Sequence, residues 1–197
     1  MRTVEGQLFS GEDWALDEVE RTHYEQCVFT DVDWTESRLT GCTFSGCEFG
    51  NVRFNAAELV RCAIVQSTLR RCSFFDAALT DCKLTGTEFV DCELRPLRVD
   101  GGDWSWVLLR GANLSGVRFG PLRLAHADLF AADLTKADLR GADLSEARLR
   151  DALLAGADLR GADLDGVNLR EANLAGVRID LAQAAQVATA YGAVVEA

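Results

Sequence analysis

A large apolar residue recurs at every fifth position from Val4 to Ile179, without one insertion or deletion. The series runs through Phe9, Trp14, Val19 and Tyr24, is rich in phenylalanine as far as Phe89, and is leucine at every step from Leu124 to Leu174. The residue two places earlier is mostly Cys, Ala, Val or Ser from Cys27 onward, and only Ala, Val or Leu from Ala112 to Val177. Polar residues and glycine fill the gaps, as in Ala137-Asp138-Leu139-Arg140-Gly141. A period of five fits neither regular element. On an α-helix five residues advance roughly 500°, which smears the apolar positions around the axis. On a flat strand an odd period sends successive large residues to opposite faces. A chain that turns a corner every five residues satisfies the pattern, because each side then points one small and one large side chain inward. Four sides make a coil of 20 residues, and stacked coils bury one continuous column.

Tandem A(D/N)LXX units of this kind resemble the pentapeptide-repeat family, and the likeness covers residues 4–179. The resemblance implies an all-β fold, a right-handed quadrilateral β-helix of about nine coils. At roughly 4.8 Å between stacked strands the rod would be ~43 Å long. The first coil or two, with Glu12, Asp17 and Thr22 at the small inward position, match less well and are expected to fray. Pro96 and Pro121 fall at the corners, where they would stiffen the turn, and Arg95 with Pro96 is a kink candidate through a cis bond.

After Ile179 the period lapses, with Ala184 and Thr189 at the next two places. Asp180 is suited to cap a helix N-terminus, a run of alanines follows, and Gly192 is suited to end it. The expected organisation is a repeat β-helix over 1–180 and a capping and dimerisation helix with its tail over 181–197. Leu181, Ala184, Ala185, Ala188 and Tyr191 share one helix face, and Val194 and Val195 follow. Covering open strand edges is one role for this segment. The two valines favour a second role as a dimer interface, since a monomer would leave them in water.

All seven cysteines occupy the small inward position, from Cys27 to Cys92, and read as reduced packing residues. His23 and His126 lie on different coils, and no Walker loop, GxGxxG or HExxH run occurs. A filled solenoid core leaves no pocket, so the chain is expected to be no enzyme and to need no cofactor, metal or small-molecule substrate. Trp106, Phe75 and Phe130 point outward, either for lateral packing or for a partner. No stretch of about 18 uncharged apolar residues exists, and the first 30 residues do not read as a secretory signal, so a soluble, cytoplasmic protein is expected.

The formal charge is -11, from 20 basic and 31 acidic residues, which argues against direct binding to nucleic acid or a membrane. Residue number modulo 20 assigns each side chain to a face. The first face has seven acids against three bases (Glu5, Glu25, Asp103, Asp143, Glu146, Asp163 and Asp165 against Arg2, Lys83 and Arg123). The third has the same excess, while the second and fourth nearly balance. Asp138, Arg140, Asp158 and Arg160 repeat at the coil spacing and are expected to pair across coils. B-DNA carries a negative charge per ~1.7 Å of axis, about 25 over such a length, so the rod copies the shape of DNA better than its charge.

Two tracts go beyond the generic repeat. Cys92-Glu93-Leu94-Arg95-Pro96-Leu97 followed by Asp103, and Arg178-Ile179-Asp180 with Gln183-Ala184, Ala188, Ala190 and Gly192, are similar to the MfpA branch of the family and more distantly to Qnr proteins. That similarity implies a homodimer joined through its C-terminal ends, which imitates double-stranded DNA and binds DNA gyrase, a type II topoisomerase. Binding would inhibit the enzyme or shield it from fluoroquinolone-like poisons, as resistance or self-immunity. The loop insertions of many Qnr proteins are missing here. With the C-terminal ends together, Asp103, Asp143, Glu146, Asp163 and Asp165 would form a gyrase-facing acidic strip beside the dimer centre. The competing expectation is an interaction scaffold with no topoisomerase role.

Overall fold

The computed structural model describes residues 2–196. Residues 20 apart in sequence pair in parallel, and they do so on four faces. On the first face the ladder climbs through Thr3, His23, Thr43, Ala63, Lys83, Asp103, Arg123, Asp143 and Asp163, which makes nine rungs. The second face pairs Leu8–Ser10, Val28–Thr30, Glu48–Gly50, Thr68–Arg70 and Glu88–Val90 in order, and continues to Arg148. The third carries Asp13, Asp33, Arg53, Ser73 and Glu93, and the fourth runs from Glu18 to Arg178. The fold is a parallel β-solenoid closed at its C-terminal end by one short helix. The first coil, where fraying is expected, is paired to the second on all four faces.

The large residues fill the interior as columns. Trp34, Phe54 and Phe74 stack at 5.2 and 4.7 Å between ring centres, and Phe9, Phe29 and Phe49 at 5.0 and 4.9 Å. Leucine continues the column from Leu124 to Leu164, with Ala127, Ala132, Ala137 and Ala142 buried beside it. The cysteines are free thiols; six are buried and Cys92 is half-buried. Each thiol donates to a carbonyl 23 residues earlier, as Cys62 Sγ does to Leu39 O at 3.2 Å and Cys82 Sγ to Leu59 O at 3.3 Å. Burial pushes the Cys47 and Cys82 thiols up to about 11, which keeps them protonated and unreactive.

The second residue after each large one makes the corner, in the left-handed backbone region, with φ of +51° at Gln26, +56° at Asn51 and +59° at His126. A proline ring cannot adopt that conformation. At Pro121 the left-handed turn moves back one place, to Gly120 with φ +56°. The Arg95–Pro96 bond is cis. There the third-face ladder lapses between Glu93 and Asn113, while the flanking rungs Glu88 to Leu108 and Arg98 to Arg118 hold the register. Just beyond, Ala77–Lys83 and Leu97–Asp103 run as seven-residue strands around the corner and join the fourth and first faces into one sheet. The coils meet so closely here that a Cβ on Gly102 would lie 2.1 Å from the Cys82 carbonyl oxygen.

The helix spans Leu181–Ala190, and Tyr191 caps it. Asp180 accepts from the Gln183 N–H while the Gln183 side chain accepts from Asp180 N–H, a reciprocal capping box. Gln183 Nε2 also donates to the carbonyls of Leu159 and Ala162, at 2.6 and 2.8 Å, so one buried amide ties the helix to the shaft. Val187 and Ala190 pack on the core from the same side.

Replacing Phe54, fully buried between Trp34 and Phe74, with alanine is expected to cost about 3–5 kcal/mol in urea unfolding. Gly102→Ala should cost more than Gly111→Ala, since a Cβ at the latter meets nothing within 4 Å. Equal midpoints for the two glycine variants would contradict the close contact with Cys82.

Candidate interaction surface

Each A(D/N)LXX unit places its Asp or Asn outward, midway along a side. Its carboxylate also serves the corner: Asp143 Oδ1 accepts the Ser145 N–H at 3.0 Å, Asp163 the Asp165 N–H at 2.9 Å and Asp133 the Thr135 N–H at 2.9 Å. This local acceptor bond explains why short side chains with a carbonyl oxygen recur there. Polarity alone does not reveal this bond; its signal in the sequence is the two-residue step from each Asp to the N–H it accepts.

On the first face, Asp103, Arg123, Asp143 and Asp163 are consecutive rungs. Arg123 stands between the first two carboxylates, 3.9 Å from Asp103 and 3.4 Å from Asp143. The Ser145 hydroxyl, then its N–H and Arg123, hold Asp143 below the usual carboxylate range. For Asp103 burial pushes upward, but Ser105 and Arg123 outweigh it and the net shift is down. Glu146, Asp163 and Asp165 are exposed and have no cationic partner among the described residues. Glu146 lies across Gly166, where a Cβ would come 2.5 Å from its Cδ. Of the five strip residues, then, two share an arginine and three present uncompensated charge towards the C-terminal end.

The fourth face differs from expectation. Arg140 pairs with Asp138 at 2.7 Å and Arg160 with Asp158 at 2.6 Å, each within its own coil. The fork of an arginine two residues after an aspartate reaches that carboxylate bidentately without crossing to another coil. The Arg160 pairing, opposed by burial, lowers Asp158 to about 2, and the Arg53 pairing does the same to Asp33 on the third face.

The expected absence of a pocket also needs correction. The core is filled, but no backbone bond joins residues 146–156 to 166–176 on the second and third faces, among the described residues. A surface notch of about 510 Å³ opens there, lined by Arg110, Asp128, Phe130, Glu146, Arg148 and Arg150 among others. Asp128 at its base is buried and paired with Arg110 at 2.6 Å and Arg148 at 3.6 Å. Its titratable lining consists of the carboxylates Asp128, Glu146 and Glu171 and the arginines Arg110, Arg148 and Arg150. Among the described residues no cluster of His, Cys, Asp and Glu could hold a metal ion, and no helix is long and apolar enough to cross a membrane.

On the helix, Leu181, Ala184 and Tyr191 are exposed and Ala185 and Ala188 half-buried. Leu181 is 90% exposed and Val194 87%, with Val195 also in water. The outward aromatics divide. Phe130 lies under the Arg150 guanidinium at 6.0 Å, Trp106 stacks on His126, and Phe75 stands exposed.

The family model "Pentapeptide repeats" matches in eight copies, over 25–55, 35–71, 108–145, 123–157 and 147–182. The chain belongs to the pentapeptide-repeat family. Among solved structures, this pentapeptide-repeat protein is similar to a trypsin-treated QnrB1 variant, a plasmid-mediated fluoroquinolone resistance protein, at 21% identity and a TM-score of 0.81, over 98% of this chain and 99% of that one. It is also similar to HetL of the cyanobacterium Nostoc sp. strain PCC 7120, a pentapeptide-repeat protein involved in heterocyst differentiation regulation, at 22% identity and a TM-score of 0.60, over 89% and 88%. These likenesses show the shared fold. No curated protein sequence matches it.

Because Asp33 and Asp158 have carboxyls lowered to about 2, below the ordinary ~3.9 of an unfolded chain, their ionised forms favour the folded state. That stability is fully present above about pH 4 and is lost as pH falls towards 2. Urea midpoints measured across this range should fall less steeply for Asp33→Asn and Asp158→Asn than for the unmodified pentapeptide-repeat protein. An unchanged acid slope would show that these pairs do not link folding to pH.

Proposed function

We propose that this protein is a non-catalytic DNA mimic that binds DNA gyrase in the cytoplasm, as a homodimer joined through its C-terminal ends. The observation that carries the reading is the run of uncompensated carboxylates Glu146, Asp163 and Asp165, on the same C-terminal part of a filled solenoid as an uncovered apolar helix face. An anionic rod suits a basic channel built to hold duplex DNA. The likeness to QnrB1 supports the reading at the level of fold.

In the dimer, Leu181, Ala184, Ala185, Ala188, Tyr191, Val194 and Val195 of each copy would form the interface, which removes the exposed Leu181 and valines from water. The acidic strips of the two copies would then flank the junction. Opposed charges that must shed water contribute mainly steering and register. Several substitutions together should therefore matter more than any one.

The test titrates purified protein into gyrase supercoiling and cleavage assays, with and without a fluoroquinolone. The protein is expected to inhibit supercoiling, to reduce drug-stabilised cleavage, or both, and reversal of Asp143, Glu146, Asp163 and Asp165 to lysine should abolish the effect. Supercoiling and cleavage unaffected by the unmodified protein would reject gyrase and leave an interaction scaffold. Leu181→Asp with Val194→Asp should convert a dimer into a monomer by sedimentation; an unaltered mass would place the interface elsewhere.

A further inference from the structure

Three residues occupy consecutive corners between the first and second faces: Trp106, His126 and Glu146. The corners before and after them are Gly86 and Gly166, so the trio forms a ridge between two low corners. The Trp106 and His126 rings are parallel to within 15° with centres 4.0 Å apart. The imidazole covers one face of the indole. On the other side Gly86 has no side chain of its own, the Gln66 side chain lies over Gly86 within 3.6 Å of where its Cβ would be, and Trp106 remains 57% exposed.

Neither backbone preference nor burial accounts for a tryptophan at this place. The corner needs a left-handed conformation, φ +63° here, which glycine and asparagine adopt more readily than an aromatic residue. The indole contributes nothing to the filled core either, since Trp104 already occupies the inward position of that coil. An open π-face attracts a cation through the ring quadrupole. The surroundings agree with that preference: Asp103 is on the same coil, Asp143 lies two rungs further along the first face, and Glu146 ends the ridge. The adjacent cation Arg123 is held by Asp103 and Asp143. The fold already contains the same pairing in its own chain, where Arg150 lies over Phe130.

We propose that the Trp106–His126 ridge is the anchor point for an arginine of a basic partner protein. Its planar guanidinium lies on the open indole face while its N–H groups reach the first-face carboxylates. Arginine suits the site better than lysine because it stacks and presents a rigid fork of donors. Aromatic anchors of this kind are where interface energy concentrates. The inference deepens the reading of the protein as a mimic for a basic surface; it requires a cationic partner, not gyrase in particular.

The probes are hexa-arginine and hexa-lysine peptides, followed by the indole N–H resonances of the ¹⁵N-labelled protein. Hexa-arginine is expected to shift the Trp106 resonance ahead of those of Trp14, Trp34 and Trp104. Trp106→Asn, which keeps a corner-compatible residue, should weaken hexa-arginine binding roughly three- to fivefold. Trp106→Phe should retain part of the affinity. An equal response to both peptides, or undiminished binding by Trp106→Asn, would overturn the proposal. If the unmodified protein leaves gyrase untouched while hexa-arginine still reads out at Trp106, the gyrase assignment falls and the ridge stands.

Discussion

Parallel backbone hydrogen bonds between coils, each residue answering the one 20 places on, are the interaction from which the rest follows. They hold while the corners stay in phase, and from the second coil onward one large and one small inward side chain per side help to keep them so. The first coil departs from that pattern. Glu12 and Asp17 stand at the small place of the repeat there and are exposed, yet the coil is paired on all four faces. Since backbone and core together determine the shaft, the outward positions are released from any role in folding. Their chemistry is open to selection for something else, and here it is strongly acidic.

The repeated aspartate is an exception to that division. It accepts the N–H at its own corner and so belongs to the turn, while its second oxygen and its charge belong to the surface. Neutralising arginines are then placed face by face. On the fourth face they sit two residues after the aspartate and clasp it within the coil, whereas on the first a single Arg123 serves Asp103 and Asp143. The result is a rod whose charge is balanced along one face and left bare near one end of another. Sequence period fixes the number of carboxylates per face, but the partners fix how many remain free.

Much of the fold was legible because a period of five admits so few solutions, and residue number modulo 20 placed side chains on their faces before any coordinates. What that arithmetic could not supply was direction within a face. It set Asp138 and Asp158 one coil apart but could not choose between a cross-coil pair and the local fork that Arg140 and Arg160 adopt. Nor could it reveal the notch near the last coil. Leu164, Leu169 and Leu174 keep the period there, yet the ladder lapses on two faces. The helix holds the final coil unevenly: Gln183 and Asp180 bond to Leu159, Ala162 and Gly161 on the fourth and first faces, while Arg170, donating to the Ala190 carbonyl, is the side-chain tie to the second.

The two ends of the rod also differ in a way that bears on the proposed pairing. A contact between unlike ends would repeat indefinitely and build a filament, while a contact between like ends closes as a dimer. The N-terminal end carries Glu5, Glu12, Asp13, Asp17, Glu18 and Glu20 around its half-exposed apolar residues, against Arg2 and Arg21. Two such ends repel each other. Residues 181–195 contain no charged side chain, and Leu181, Tyr191, Val194 and Val195 are exposed there. Desolvating the acidic end against this uncharged one would strip carboxylates of water and give them no cation in return. Charge thus disfavours both the N-terminal pair and the filament, which is the physical ground for the C-terminal pairing proposed above.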